Sequence, residues 1–356
     1  MARLPRGEVI KQDESGLYHC WTSTVRSLKI LAPEHNGKSR RDWVIDRAEG
    51  LARWFGISIA FYSVLDNHYH FVFQTLPDVV KKWTDKQVIK RSVKIYPWKF
   101  SRLGVRGGEA TPEQIAEFAE DKELVATYRA RLADPSWFMK QLNQYIAVQC
   151  NRSDQQGGHV VSGRFGCRAL LDEVGILIAG IYVDLNEIRA QLAATLEEAK
   201  RTSVYRRLLA LRIRRDAKLG QSVSGQATAD RRKAAKLDGF LSPLCTTGDG
   251  QTSEFGYVPA GRDGSHRATD VGVLDLTLEN YLQILEWVGR QPREDKAGQI
   301  DDDAPSSLES FGLSGSDLMY YLRNFAGRSA YAAGRPGAVS KFLSEIRGRI
   351  DPCVVS

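Results

Sequence analysis

Cysteine is scarce in this sequence, and its five cysteines form no Cys-x-x-Cys pair. This spacing argues against a zinc ribbon and against a disulfide framework. Long apolar runs are also lacking, so no segment has the length that a membrane-spanning helix needs, and the first residues have no apolar core of a signal peptide. We therefore expect a soluble, cytoplasmic protein without a membrane partner.

A large excess of one charge is lacking too. The chain has 50 Lys and Arg residues against 43 Asp and Glu residues, which gives a formal net charge of +7. This positive balance is compatible with a nucleic-acid partner but does not identify one. With 356 residues the chain is long enough for two domains, or for one domain with a long appendage.

Two histidines stand out in the apolar run from Phe61 to Phe73. His68 and His70 are separated only by Tyr69. Because side chains alternate faces along a strand, two residues at this spacing point the same way, and two neighbouring imidazoles form half of a metal site. The alternative is that both rings only face solvent or form hydrogen bonds with their neighbours.

A tyrosine lies on a predicted amphipathic helix over residues 172–190. Asp172 is suited to be the N-cap, and apolar residues recur at helical spacing after it. On this helix Tyr182 and Asn186 are four residues apart and occupy one face. A possible nucleophile and a possible metal-binding amide would therefore be neighbours, although a single tyrosine is more often an ordinary half-buried aromatic residue.

These two blocks carry a resemblance to a known family. His68-Tyr69-His70, followed by Tyr182-Val183-Asp184-Leu185-Asn186, resembles the HUH single-tyrosine transposase family, in particular the REP-associated tyrosine transposases. Residues 157–165 resemble the glycine-rich segment of that family, which ends in Gly-Arg-Phe, and residues 16–20 resemble its first strand. The resemblance covers roughly residues 10–195, and its blocks occur in the order of the family.

The resemblance implies a transposase that acts on single-stranded DNA. His68 and His70 would hold a divalent metal ion, Mg or Mn, and Asn186 would assist them. Tyr182 would be the nucleophile and would form a 5′-phosphotyrosine intermediate with a free 3′ hydroxyl. The implied partner is single-stranded, hairpin-forming DNA, and a homodimer is compatible because some relatives place the tyrosine helix across a dimer.

Three residues depart from the family pattern. Glu187 stands where the family usually has proline, and Val160 and Val161 replace aromatic residues that are often found there.

Other functions stay open as well. Relaxases and replication initiators use the same chemistry, although no helicase or primase motif is found, and a domesticated, catalytically inactive protein would bind nucleic acid without cleaving it.

A basic segment with interspersed aromatic residues spans positions 81–106. It contains nine Lys and Arg residues and one acidic residue. Cations beside aromatic rings suit single-stranded nucleic acid, because phosphates need positive charge and unstacked bases need flat surfaces. The candidate DNA contacts are Lys81, Lys82, Trp83, Lys90, Arg91 and Trp98, together with Arg164 of the Gly-Arg-Phe sequence. The alternative is a solvated helix whose aromatic residues anchor it in the core.

The predicted elements indicate an α+β fold. They are strands at 16–25, 57–65, 68–75 and 167–171, and helices near 41–55, from Pro112, from Asp134-Pro135 and over 172–190. The strands at 57–65 and 68–75 are predicted to form a hairpin joined at Asp66-Asn67. The resemblance implies an antiparallel sheet with helices in a ferredoxin-like HUH-nuclease core. We expect residues 10–195 to form the catalytic domain, with a basic insertion at about 76–133, and residues 196–356 to form a mostly helical C-terminal extension. Loops are predicted at 219–229, 244–270 and 301–307.

Overall fold

The computed structural model describes residues 5–218, 226–245, 266–291, 303–325 and 331–350. Much of the predicted loop sequence, at 219–225, 246–265 and 301–302, lies outside these ranges. Residues 226–229, which the composition assigned to a loop, instead begin a helix. Their Ala and polar content does not oppose a helix, and the following Arg, Lys and Ala residues continue it.

The strands and helices occur in the following order. The strands are β1 (Leu17–Ser23), β2 (Glu34–His35), β3 (Lys38–Ser39), β4 (Ile57–Val64), β5 (His68–Thr75), β6 (Gly166–Leu170) and β7 (Ala332–Ala333). The helices are α1 (Arg6–Val9), α2 (Arg40–Ala52), α3 (Pro77–Lys81), α4 (Asp85–Ile95), α5 (Pro97–Ser101), α6 (Pro112–Glu120), α7 (Lys122–Leu132), α8 (Pro135–Asp154), α9 (Glu173–Asp184), α10 (Asn186–Arg189), α11 (Ser203–Lys218), α12 (Gln226–Asp238), α13 (Leu278–Arg290), α14 (Gly315–Phe325) and α15 (Pro336–Ile350).

A five-stranded sheet with the order β4-β5-β1-β6-β7 forms the centre of the protein. Neighbouring strands from β4 to β6 are antiparallel, and this confirms the predicted hairpin of β4 and β5. The edge strand β7 runs parallel to β6, so the sheet is mixed rather than wholly antiparallel as expected. The cause is a strand from residues 332–333, which are too few to show a strand period in the sequence. The α+β class agrees with the prediction.

The alternation of side chains along β5 separates two cores. Tyr69, Phe71 and Phe73 point to the face that is covered by α2 and α8. Val72 points to the opposite face, where it packs with residues of α9. Because His68 and His70 alternate with the aromatic residues of β5, both histidines lie on the α9 face.

Helices α3 to α7 occupy the predicted basic insertion. Their apolar side chains, including Val88, Ile89 and Val93 of α4, join the core on the α2 and α8 face. The insertion therefore packs against the sheet on the side opposite to the histidines.

Residues beyond 195 contribute to the core around α9. Tyr281, Trp287 and Leu318 are buried there together with apolar residues of α9. The start of α9 also lies very close to β7. A Cβ atom on Gly175 would lie 2.4 Å from the carbonyl oxygen of Ala333, so β7 can pass this turn only because residue 175 has no side chain.

In the part of the chain that the structure describes, no helix combines the length and apolar character needed to cross a membrane.

Candidate active site

Helix α9 carries Tyr182 and differs from the predicted helix in two respects. Its N-cap is confirmed, since the Asp172 carboxylate accepts a hydrogen bond of 2.8 Å from the N–H of Gly175. The expectation of an amphipathic helix was wrong: all but two of the 12 residues are buried, because the sheet covers one side and the C-terminal helices cover the other. Tyr182 is one of the two residues that are not fully buried.

The predicted helix over residues 172–190 is also not continuous. It ends at Asp184, and Leu185, with φ −88° and ψ 2°, separates it from the short helix α10. Leu185 places its side chain in the core, at 2% exposure, which fixes the chain at this point. The i, i+4 relation expected for Tyr182 and Asn186 is therefore interrupted.

Two histidines and the tyrosine meet on the α9 face of the sheet. The ring centroids of His68 and His70 are 5.0 Å apart. The ring of Tyr182 approaches His70 edge-on at 5.6 Å. The fold thus brings together three of the residues that the sequence singled out, although more than 100 positions separate the histidines from the tyrosine.

A third histidine belongs to this cluster. His19 of β1 stacks on His70 with ring centroids 5.0 Å apart, and its Nε2 atom lies 2.8 Å from Nδ1 of His70. The sequence left His19 without a role. The sequence feature that could have pointed to His19 is its position in the first predicted strand. The pairing register that places β1 beside β5 cannot be read from either strand alone.

Asn186 is buried at the start of α10, with 9% exposure. Its Nδ2 atom is buried and has no hydrogen-bond partner in the described parts of the chain. Within those parts, no hydrogen bond links it to His68 or His70 either. Its assignment as a third metal ligand stays a prediction.

Glu187, one of the three residues at which the sequence departs from the resemblance, is buried at 2% exposure. Its carboxylate accepts a hydrogen bond of 3.2 Å from the backbone N–H of Arg201. Burial raises the pKa of this carboxyl, whereas the Arg201 hydrogen bond and the charges of Arg201 and Arg41 oppose the rise. Glu187 thus joins α10 to the segment that precedes α11.

The histidine cluster has features that fit a divalent metal ion. Nε2 of His70 is buried and has no partner among the described residues, which is costly for a polar atom unless a ligand meets it. His68 binds the neighbouring Asn67 side chain through Nδ1, at 2.7 Å, so its Nε2 atom remains for another partner. Within the described ranges, however, no group of three or more His, Cys, Asp or Glu side chains is placed to hold a metal.

A phenylalanine and an arginine cover the cluster. The ring of Phe325, the last residue of α14, lies 4.9 Å from that of Tyr182 and 5.4 Å from that of His19. Arg168 of β6 donates a hydrogen bond to the Phe325 carbonyl, and its guanidinium lies 4.4 Å from the Phe325 ring centroid. Burial lowers the pKa of Arg168 to about 10, and the nearby Tyr182 opposes this shift. Neither residue was identified from the sequence.

The buried histidines should make the stability of the protein dependent on pH. Burial, reinforced by the charge of Arg168, holds the pKa of His19 and of His70 well below the ordinary value. In the unfolded chain these rings bind protons near pH 6.5, but in the folded protein they stay neutral, so stability is lost as the pH falls below 6.5. Between pH 7.5 and 5.5 the two rings together should lower the free energy of unfolding by about 2–3 kcal/mol.

Urea unfolding at both pH values measures this loss. A His19→Phe variant removes one of the two rings, so about half of the difference between the two pH values should disappear. A His159→Gln variant, at an exposed loop position, should keep the wild-type loss. An identical pH dependence in His19→Phe and wild type would contradict the assignment.

Two of the predicted DNA-binding residues, Trp83 and Arg91, lie away from the histidine cluster. The guanidinium of Arg91 lies 3.8 Å from the Trp83 ring centroid, and Arg91 also donates hydrogen bonds to the carbonyls of Arg53 and Trp54. Both residues thereby support the end of α2, which agrees with the alternative that the aromatic residues anchor a solvated helix. They belong to the insertion on the opposite face of the sheet.

The other candidate DNA contacts are more accessible. Trp98 is 42% exposed, with Nζ of Lys99 at 4.6 Å from its ring centroid. Lys82, Lys90 and Arg164 are exposed. Lys81 is also exposed and pairs with Asp78 at 3.0 Å. Their contact with DNA stays a prediction.

A positive charge also lies beside Tyr182. The guanidinium carbon of Arg189, an exposed residue of α10, is 5.9 Å from the Tyr182 ring centroid. The site therefore combines a phenol, two adjacent imidazoles and cationic groups, which together can bind and attack a phosphate ester. No protein-family model, curated protein or solved structure matches the chain.

Proposed function

We propose that this protein is a single-tyrosine HUH transposase, which cleaves and rejoins single-stranded DNA in DNA transposition or in the mobilisation of repeat elements. The observation that supports this function is the position of Tyr182, whose ring lies 5.6 Å from that of His70, with His68 next to it on the same strand face. Elements that are remote in sequence bring a tyrosine and two neighbouring imidazoles close together.

Tyr182 would act as the nucleophile. Its phenolic oxygen forms a bond to the scissile phosphorus and loses its proton, while the bond from phosphorus to the 3′ oxygen breaks and that oxygen leaves as a hydroxyl. The product is a 5′-phosphotyrosine. Because the energy of the phosphoester bond is kept, the 3′ hydroxyl of another strand can displace Tyr182 and rejoin the DNA.

Basic and metal-binding residues would stabilise the phosphate. His68 and His70, assisted by Asn186, would hold a divalent ion, Mg or Mn, which when bound polarises the phosphate and offsets the negative charge of the transition state. Arg189 adds positive charge next to the Tyr182 ring. Arg168 is buried beside the same ring and, in addition, orders the residue that covers it.

The proposal is tested by incubating the purified protein with labelled single-stranded oligonucleotides from the flanks of its own gene. The reactions contain Mg²⁺, Mn²⁺ or a chelator, and a denaturing gel separates protein-linked DNA. We expect an adduct that requires the metal and that peptide mapping locates at Tyr182. Failure to form an adduct on every hairpin-bearing strand, by protein that is folded, would overturn the assignment.

One observation favours a second candidate function. Phe325 packs on Tyr182, and His70 is only 5% exposed, so the catalytic groups are covered. A catalytically inactive protein that binds nucleic acid through its basic surface would tolerate such a cover. In the same experiment it would retard the DNA in a native gel but form no adduct with any metal.

A further inference from the structure

We propose that His19 and Asn67 are positioning residues that hold His70 and His68 with their Nε2 lone pairs directed to a divalent cation. This inference rests on the proposed function, since it concerns the metal ligands of that site. It follows from the hydrogen bonds that each imidazole makes through its other nitrogen. A neutral imidazole carries one proton, so the partner of one nitrogen decides whether the other can bind a cation.

The hydrogen bonds of Asn67 fix the proton of His68. The Nδ2 group of Asn67 donates a hydrogen bond of 3.2 Å to the carbonyl of Ser27, and this sets the orientation of the amide. Its Oδ1 atom then faces Nδ1 of His68 at 2.7 Å. Because a carbonyl oxygen only accepts, Nδ1 of His68 must carry the proton, and Nε2 keeps its lone pair.

The backbone of Asn67 is itself held in place. The N–H of Thr24 donates a hydrogen bond of 2.8 Å to the Asn67 carbonyl, and the Thr24 hydroxyl donates a second one of 3.0 Å. The turn between β4 and β5 is thereby tied to the end of β1. The orientation of His68 is thus set by contacts that do not require a metal.

The hydrogen bond between His19 and His70 can form in two ways, which differ in the ring that donates the proton. Nε2 of His19 and Nδ1 of His70 lie 2.8 Å apart, so one of the two rings donates to the other. If His19 donates, Nε2 of His70 carries a proton and cannot bind a cation. If His70 donates, its Nε2 atom presents a lone pair, and that atom is buried without a partner in the described part of the chain. Cation binding therefore requires His19 to be the acceptor.

Packing holds the ring of His19 in place, and in the acceptor form its proton lies on Nδ1, which is buried without a partner among the described residues. Its ring is 3% exposed and lies between His70, at 5.0 Å, and the rings of Trp21 and Phe325, at 5.1 Å and 5.4 Å between centroids. Packed in this way, the ring keeps Nε2 directed at His70. Each of the two predicted metal ligands thus has a hydrogen-bond acceptor at its Nδ1 atom: the Asn67 amide for His68 and the His19 imidazole for His70.

The experiment compares two variants of His19 with the wild-type protein in the absence of DNA. His19→Phe keeps a ring in the aromatic stack but has no acceptor, whereas His19→Gln provides an amide oxygen close to the position of Nε2. Mn²⁺ affinity is measured by electron paramagnetic resonance of the free ion. We expect His19→Phe to bind Mn²⁺ about 10- to 100-fold more weakly, and His19→Gln to stay within a few-fold of wild type. His159→Gln, at an exposed loop position, is the matched control and should bind like wild type.

Nitrogen-15 spectra of the histidine rings provide a second measurement that does not depend on activity. In the metal-free protein His68 should already show a protonated Nδ1 and an unprotonated Nε2. On addition of Mg²⁺, His70 should show the same pattern.

The outcomes separate this inference from the proposed function. If His19→Phe is folded and binds Mn²⁺ as tightly as wild type, the positioning role of His19 is overturned and the transposase proposal stands. A protonated Nε2 on His68 overturns the role of Asn67 in the same way. A wild-type protein that binds no Mn²⁺ overturns the metal site itself, and with it both proposals.

Discussion

Tyr182→Phe protein is expected to form no covalent adduct with single-stranded DNA while its stability and its affinity for DNA stay close to those of wild type. The substitution removes only the oxygen that attacks phosphorus. The Tyr182 ring packs against Phe325 at 4.9 Å and His70 at 5.6 Å, and phenylalanine can keep both contacts. The Tyr182 side chain is only partly buried, so loss of its hydroxyl should change the free energy of unfolding by less than about 0.5 kcal/mol.

The structure offers a matched control for this substitution. Tyr145 of α8 is 37% exposed, and the guanidinium of Arg47 lies 5.0 Å from its ring centroid. Helix α8 packs on the face of the sheet opposite to the histidines. Tyr145→Phe should therefore form the adduct at the wild-type rate. An adduct that survives in Tyr182→Phe but disappears in Tyr145→Phe would move the nucleophile to α8.

The largest loss of stability is expected for Asp184→Ala. Asp184 is fully buried at the end of α9, and its carboxylate accepts hydrogen bonds from the Ser203 hydroxyl at 2.6 Å, the Val204 N–H at 3.0 Å and the Tyr281 hydroxyl at 2.9 Å. Alanine would leave three donors without an acceptor and would deprive the buried Arg207 of a nearby negative charge. We expect the free energy of unfolding to fall by about 3–5 kcal/mol.

Two further variants test the cause of this loss. Asp184→Asn keeps the size and one acceptor oxygen, so its loss should be smaller, about 1–3 kcal/mol. Asp78→Ala removes an aspartate that is 71% exposed and pairs with Lys81 at the surface, and its effect should stay below about 1 kcal/mol. Urea unfolding of the three variants gives these values. An Asp184→Ala loss as small as that of Asp78→Ala would show that the buried hydrogen bonds do not support the fold.

Local sequence signals were sufficient for the hairpin that carries His68 and His70 and for the start of α8. The hairpin of β4 and β5 was predicted because two apolar runs flank the turn at Asp66-Asn67, and the start of α8 was predicted because Asp134 precedes Pro135. The Asp134 carboxylate indeed accepts a hydrogen bond of 2.7 Å from the N–H of Ser136. In both cases the interactions that define the element lie within a few residues of it.

The rest of the candidate site depends on contacts between distant segments. His19 meets His70 only through the pairing of β1 with β5, and Phe325 reaches Tyr182 from a helix more than 130 positions away. The interruption at Leu185 arises because its side chain is buried in a core to which residues beyond 195 contribute. Hydrophobic periodicity and helix-capping residues do not indicate contacts between distant segments. For this reason the sequence predicted two separate motifs and not a cluster covered by other residues.

The late position of Phe325 and β7 in the chain has a consequence for synthesis on the ribosome. The strands that carry His19, His68 and His70, and the helix that carries Tyr182, are all made by residue 184. Phe325 and strand β7 (Ala332–Ala333), which complete the cover, follow only after about 140 further positions. During translation the apolar side of α9 is therefore made before the residues that bury it. It stays exposed to solvent until that distant part of the chain has been synthesised. The last strand to join the sheet is thus also the step that completes the enclosure of the tyrosine helix.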